Sequence, residues 1–352
     1  MIDRRSMLQN LLAGAAGLSF FRSGDLIAAD DPYLSFVNPE LRGVAAKMLQ
    51  RTPGPPLSLA NLKAVRMGMG RWNRPFRKDV PVERKVIPGR KGQPDVPIYV
   101  VNARPGLMRP AILHLHGGGF VLGSAAQSVA DLQDLSSELG CLAVSVEYRL
   151  APETSYAGSI EDNYAGLKWL HANALALGAD RARIAVMGES AGGGHAALLA
   201  ITARNRGEVP LVFQCLVYPM LDDRTGSTRA APAQMGKLVW NAQANRFGWG
   251  SFLGQEPGGR RVPFAAVPAR VANLAGLPPA FIGVGSIDLF HDEDVEYARR
   301  LNDAAVPTEL LVVPGAFHGF DGIAAADPNA RVARWFTAVK KDALRRGLGI
   351  AV

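Results

Sequence analysis

Residues 183–201 constrain the fold more than any other stretch. Arg183-Ile184-Ala185-Val186-Met187 is a short apolar run of the kind that forms a buried strand, and it leads straight into Gly188-Glu189-Ser190-Ala191-Gly192. Beyond the second glycine, Ala196-Ala197-Leu198-Leu199-Ala200-Ile201 has the composition of a helix. A serine set between two glycines at a strand-to-helix turn sits on strained backbone. A Cβ at 188 or 192 would intrude where strand and helix pack. By composition, a Gly-x-Ser-x-Gly pattern arises by chance about 0.2 times in a chain like this, so the motif gains its weight from this context.

A second glycine motif has the same setting. Ala111-Ile112-Leu113-His114-Leu115 reads as another buried strand and ends at His116-Gly117-Gly118-Gly119. Such a loop brings bare backbone N–H groups close to a reacting atom, where they can hold a developing oxyanion. A serine nucleophile on this kind of turn is followed in the chain by an acid and then a histidine. His195, His291 and His318 are the histidines beyond Ser190. His195 is too near the serine to loop back with an acid between them, and His291 lies beside Asp292-Glu293-Asp294, the acidic start of a helix. That leaves His318, in the loop Gly315-Ala316-Phe317-His318-Gly319-Phe320 after the strand Thr308–Val313. Catalytic groups of open α/β sheets gather at the carboxyl ends of strands. The acid then falls just past the strand Ala280–Gly285, at Asp288, while Asp292, Glu293 and Asp294 read as first-turn acids that suit the helix dipole.

Strand and helix patterns alternate from about residue 80 onward, which predicts an α/β fold with a mostly parallel central sheet flanked by helices. The composition supplies the core for it, at 48% hydrophobic and 20% charged. Two segments break the alternation. Residues 31–78 read as helical pieces interrupted by Pro53-Gly54-Pro55-Pro56, and residues 222–262, with Trp240, Phe247, Trp249 and Phe252, form a long insertion. Connections of that length commonly cover an active site, so both are expected to form a helical cap over a catalytic domain made of 79–221 and 263–352.

The chain resembles the bacterial hormone-sensitive-lipase-like carboxylesterases (family IV) of the α/β-hydrolase superfamily. The resemblance rests on His116-Gly117-Gly118-Gly119-Phe120, Tyr148-Arg149-Leu150-Ala151-Pro152-Glu153, Gly188-Glu189-Ser190-Ala191-Gly192-Gly193, Asp288-Leu289-Phe290-His291-Asp292-Glu293 and His318-Gly319-Phe320, in the family's order. Asn38-Pro39-Glu40-Leu41-Arg42 is similar to the start of the family's N-terminal cap. The chain departs from many members in having Leu289-Phe290 after the acid and Glu189 before the serine. The resemblance implies a serine carboxylesterase acting on short- to medium-chain esters through an acyl-enzyme. Its triad would be Ser190, Asp288 and His318. Its oxyanion hole would be Gly118, Gly119 and Ala191, with Gly117 shaping the loop and His116 structural. An amidase, thioesterase, lactonase or acetyl-carbohydrate esterase could use the same triad, and a non-enzymatic interaction protein could use the same fold.

No cofactor and no metal site is expected, because the histidines and cysteines lack close ligand spacing. The expected partner is a small-molecule ester, with a homodimer open and stable membrane insertion not expected. The net charge is +8, and residues 1–110 hold 18 Lys and Arg against 8 Asp and Glu. That basic excess lacks any nucleic-acid module, so a solvated basic face is expected rather than a nucleic-acid site. Cys141 and Cys215 lie in apolar runs and read as buried free thiols. Residues 1–30 carry Asp3-Arg4-Arg5-Ser6-Met7-Leu8 and an apolar run Leu11–Phe21 too short to cross a bilayer. They are expected to be a twin-arginine export signal, the alternative being an N-terminal cap helix of a cytoplasmic enzyme.

Overall fold

The computed structural model describes residues 31–52, 54–69 and 74–351. The segment read as an export signal lies outside them.

Its strands are β1 (Val82–Ile87), β2 (Val96–Val101), β3 (Arg109–Leu115), β4 (Leu142–Val146), β5 (Ala179–Glu189), β6 (Phe213–Val217), β7 (Ala280–Gly285) and β8 (Thr308–Val313). They form one sheet in the order β1-β2-β4-β3-β5-β6-β7-β8. The β1/β2 and β2/β4 pairs are antiparallel, and every pair from β4 through β3 to β8 is parallel. Strands β4, β6 and β7 are buried along their whole length, as parallel strands covered on both faces must be, and that is why they read as unbroken apolar runs. The edge strand β1 instead exposes Glu83 and Arg84 and half-buries Lys85, charges that discourage edge pairing with another chain.

The helices are α1 (Arg42–Leu49), α2 (Leu62–Met69), α3 (Ala125–Leu139), α4 (Tyr156–Leu177), α5 (Ala191–Arg206), α6 (Ala242–Leu253), α7 (His291–Asp303), α8 (Phe320–Ile323) and α9 (Arg331–Gly347). Successive strand residues feed opposite layers. Ile112, Ala143, Ala185 and Cys215 join α3 and α9 in one apolar cluster, and Leu113, Val144, Val186 and Leu216 join α4, α5 and α7 in another. Burying each such Val, Leu or Ile contributes roughly 1.5–3 kcal/mol, far more than a surface ion pair. Tyr33, Leu34, Val37, Leu41 and Val44 complete the first layer.

A third apolar cluster lies past the carboxyl ends of the strands. It joins Leu62 of α2 and Trp240, Trp249 and Phe252 of the 222–262 segment to Phe120, Ala191, Met220, Leu289 and Phe290. Polar anchors hold both segments there. Arg66 of α2 donates to the carbonyls of Val121 and Ala151 and pairs with Glu153. Buried Asp223 pairs with Arg270 at 2.6 Å and accepts the Gly258 N–H. Among the described residues, no helix is long and apolar enough to cross a membrane.

Candidate active site

Four strand ends deliver the groups singled out from the sequence: β3 leads to residues 116–119, β5 to Ser190, β7 to Asp288 and β8 to His318. Ser190 holds φ 57° and ψ −123°, a conformation that costs a non-glycine residue on the order of 1–3 kcal/mol. The turn is fixed on both sides. The Ser190 N–H donates to Val217 O, and its carbonyl accepts the N–H groups of Gly194 and Met220. The flanking glycines are obligatory by distance: a Cβ on Gly188 would lie 2.2 Å from Gly192 O, and one on Gly192 would lie 2.0 Å from Leu115 O.

The three side chains meet in one line. The Ser190 hydroxyl lies 2.9 Å from His318 Nε2, and His318 Nδ1 lies 2.8 Å from Asp288 Oδ2. A carboxylate accepts, so Nδ1 carries the proton and Nε2 is left free to take one from the serine. Asp288 Oδ1 accepts the Phe290 N–H at 3.0 Å, which fixes the carboxylate plane. Asp288 is 0% exposed, His318 5% and Ser190 8%, so the dry end of the line is the acid and the accessible end is the serine. Phe290 and Tyr218 pack edgewise against the imidazole, with ring centroids 5.1 and 4.7 Å away.

The glycine loop wraps the same serine. A Cβ on Gly117 would sit 2.9 Å from Glu189 O, and Gly118 and Gly119 take φ values of 124° and 60° that favour glycine. Among the described residues, the N–H groups of Gly118, Gly119 and Ala191 donate to no protein acceptor. His116 anchors the loop: its Nδ1–H donates to Gly117 O, its ring stacks on Tyr148, and its carbonyl accepts the Tyr148 hydroxyl at 2.5 Å. Burial pulls its pKa down to about 4, so the ring is neutral. Gly119 also abuts the insertion, since a Cβ there would meet Trp240 Cη2 at 2.1 Å. Trp240 is held in place by donating its indole N–H to Asn245.

Other residues have surroundings that the sequence did not reveal. Glu293 and Asp294 do lie in the first turn of α7, as read, but they are buried there, 2% and 0% exposed. Glu293 Oε1 accepts the N–H groups of Leu221 and Asp222, which needs the side chain turned inward. Burial first, then neighbouring acids, push both carboxyls well above the usual range. His114 and Glu189 form a pair that the sequence did not announce, at 2.9 Å, with Ser145 on the other ring nitrogen. Burial opposes ionisation of Glu189, but His114 and then Lys340 outweigh it and hold its pKa below the ordinary value. His195 is enclosed by Phe120, Tyr148 and Phe252, and burial lowers its pKa to about 3. Cys141 and Cys215 are free and buried, as their apolar runs suggested. Among the described residues, no group of three or more His, Cys, Asp or Glu is placed to hold a metal ion.

The chain is similar to known proteins over the residues that make up this site. A family model described as "alpha/beta hydrolase fold" matches residues 112–322, which include the glycine loop, Ser190, Asp288 and His318. The chain is 38% identical over 222 residues to Esterase LipI of Mycobacterium tuberculosis, covering 63% of this chain and 68% of that protein. It is 36% identical over 276 residues to Carboxylesterase NlhH of the same species, covering 74% of this chain and 82% of the relative. A solved structure titled "Bacterial Heroin Esterase" superposes with a TM-score of 0.78 at 36% identity, covering 90% of this chain and 99% of the other. The matched segment holds the serine turn, the glycine loop and the line of side chains, and on that ground the chain belongs to the α/β-hydrolase family, among its hormone-sensitive-lipase-like carboxylesterases.

Proposed function

We propose that this carboxylic ester hydrolase works by acyl transfer to Ser190, with His318 as general base and acid, and prefers short to medium acyl chains. The observation that carries the reading is the unbroken line from Ser190 Oγ through the imidazole to a fully buried carboxylate. In this mechanism Ser190 Oγ attacks the ester carbonyl and its proton passes to His318 Nε2. Asp288 holds the ring in the Nδ1–H tautomer and stabilises the imidazolium. The oxyanion is received by the N–H groups of Gly118, Gly119 and Ala191, donors of the kind whose single loss costs about 3–4 kcal/mol of transition-state stabilisation. The tetrahedral intermediate collapses, the imidazolium protonates the departing alkoxide, and the acyl group remains on Ser190. Water, deprotonated by His318, then attacks the acyl carbon and releases the acid.

The preference for short chains follows from reading residues 31–78 and 222–262 as a cap, of which α2 and the 222–262 segment reach the oxyanion loop. Their apolar residues lie in one cluster with the oxyanion loop, and the Trp240 ring is packed against Gly119. A chain longer than the room beside that indole has to displace buried aromatic surface. p-Nitrophenyl esters with acyl chains of about two to eight carbons are therefore expected to outpace the palmitate, as a confined pocket requires. Trp240→Ala should move the optimum toward longer chains by opening the wall. A wild-type optimum on emulsified long-chain triglyceride, unchanged in Trp240→Ala, would rule the cap reading out.

Small-molecule esters are the substrates in this reading, which takes the basic excess of residues 1–110 as a solvated face. Part of that charge is paired locally, which supports the reading: Arg74 pairs with Asp131 and Asp134, Arg77 with Asp79 and Asp134, and Arg90 with Glu161. Export rests on the twin arginines Arg4-Arg5 and the apolar run behind them. Changing both arginines to lysine should trap the enzyme in the cytoplasm of its host, whereas unchanged fractionation would point to the cap-helix alternative.

A further inference from the structure

Behind His318 lies a buried polar chain that acyl transfer does not use. Asp321 comes three residues after His318 in α8 and is 7% exposed. Its Oδ1 accepts the Tyr218 hydroxyl at 2.8 Å, and its Oδ2 pairs with Lys340 Nζ of α9 at 3.3 Å. Tyr218 follows β6 with a φ of 36°, a left-handed conformation unusual for an aromatic residue, and its ring lies against the His318 imidazole. The end of β6, the loop bearing His318 and α9 thus converge on one carboxylate.

Packing alone does not call for such a group. Removing an ion pair from water is costly, and apolar side chains of similar volume would hold a helix to a sheet at least as well. A satisfied buried network does something apolar contacts do not: it fixes direction as well as distance. Here the ammonium keeps its proton. Burial works against ionisation of Lys340, yet Asp321 and then Glu189 outweigh it and push its pKa up to about 12. Burial, followed by Asp321, raises the Tyr218 phenol well above its ordinary range, so it keeps its proton and donates it.

Resting on the reading of His318 as general base, we propose that Asp321 is a positioning residue that works through Tyr218. Anchored by Lys340, it sets the Tyr218 ring, and that ring holds the imidazole in the plane where Nε2 faces Ser190 and Nδ1 faces Asp288. Both residues are buried, so their loss should slow the chemical step and leave binding alone.

The test uses the whole enzyme with p-nitrophenyl butyrate, reading kcat and KM separately beside an unfolding midpoint in denaturant. Asp321→Ala removes the acceptor of the Tyr218 hydroxyl; Tyr218→Phe removes that hydroxyl and leaves the ring and the Asp321–Lys340 pair in place, so it serves even where Asp321→Ala fails to fold. Each variant is expected to lose about tenfold in kcat with KM within about twofold, the size of effect that small misplacement of a reacting group produces. The double variant should lose no more than either single one, since both act through one hydrogen bond. A Tyr218→Phe enzyme with unchanged kcat overturns the proposal, as does a double variant whose losses multiply. His318→Ala run alongside separates the two claims. If it is inactive while Tyr218→Phe is normal, only the positioning role fails; if it is active, the base assignment fails as well.

Discussion

Ser190→Ala is expected to fold normally and to lose esterase activity by about a million-fold in kcat, the scale seen when the serine of a catalytic triad is removed. The substitution deletes one oxygen from a residue whose backbone conformation, with φ 57° and ψ −123°, is imposed by hydrogen bonds to Val217, Gly194 and Met220 rather than by its side chain. Alanine fits the same turn. What disappears is the nucleophile, and with it the acyl-enzyme. The residual rate would come from water attacking an ester held by the oxyanion donors. Substrate turnover together with circular dichroism checks both halves of the expectation. A correctly folded Ser190→Ala enzyme with activity near wild type would remove Ser190 from the mechanism.

The second large effect belongs to the other end of the line. His318→Ala should fall nearly as far as the serine variant, since no other base lies within reach of Ser190 Oγ among the described residues. Asp288→Asn is expected to lose about 10⁴-fold in kcat, because an amide can donate to Nδ1 and stabilise the tautomer that points a hydrogen at the serine. His291→Gln is the matched control. His291 pairs with Asp292 at the surface and is expected to be replaceable with little loss. Initial rates for the three variants on one ester settle the order. An essential His291 beside a dispensable His318 would reverse the assignment.

Much of this was legible in the sequence, for physical reasons. A parallel strand buried on both faces announces itself as an apolar run, so β7 coincides with the run read from the residues; the half-exposed edge strand β8 also keeps its run, and the helix after Ser190 follows its Ala/Leu composition. The site was legible where chemistry demands an unusual residue. Gly188 and Gly192 are forced by contacts near 2 Å, and Gly118 and Gly119 by their φ angles. Chain order and strand ends then singled out Asp288 and His318, which the fold brings into hydrogen-bond contact.

What stayed hidden depends on partners far away in the chain. Glu293 and Asp294 begin a helix and look like dipole-stabilising acids, but their burial follows from how α7 packs on β7 and β8 and from two N–H groups about 70 residues earlier. His114 sits inside an apolar strand, and nothing local reveals that Glu189 is its partner across β3 and β5. Tyr218, Asp321 and Lys340 are ordinary residues in sequence, and only the convergence of three elements makes them a network. Composition marked the aromatic residues of 222–262 as a group, yet the contact of Trp240 with Gly119 is visible only in three dimensions.

The central claim is that one serine, activated by one histidine, carries the acyl group. The most direct test is to titrate the wild-type enzyme with a fluorescent organophosphonate and map the adduct by peptide mass spectrometry. A phosphonate behaves as an ester that the nucleophile attacks and cannot readily release. Inactivation at one equivalent, with the whole label on the peptide bearing Ser190 and none incorporated by His318→Ala, is the result predicted. Full labelling on another residue, or a labelled Ser190 in an enzyme that still hydrolyses ester at the wild-type rate, would contradict it.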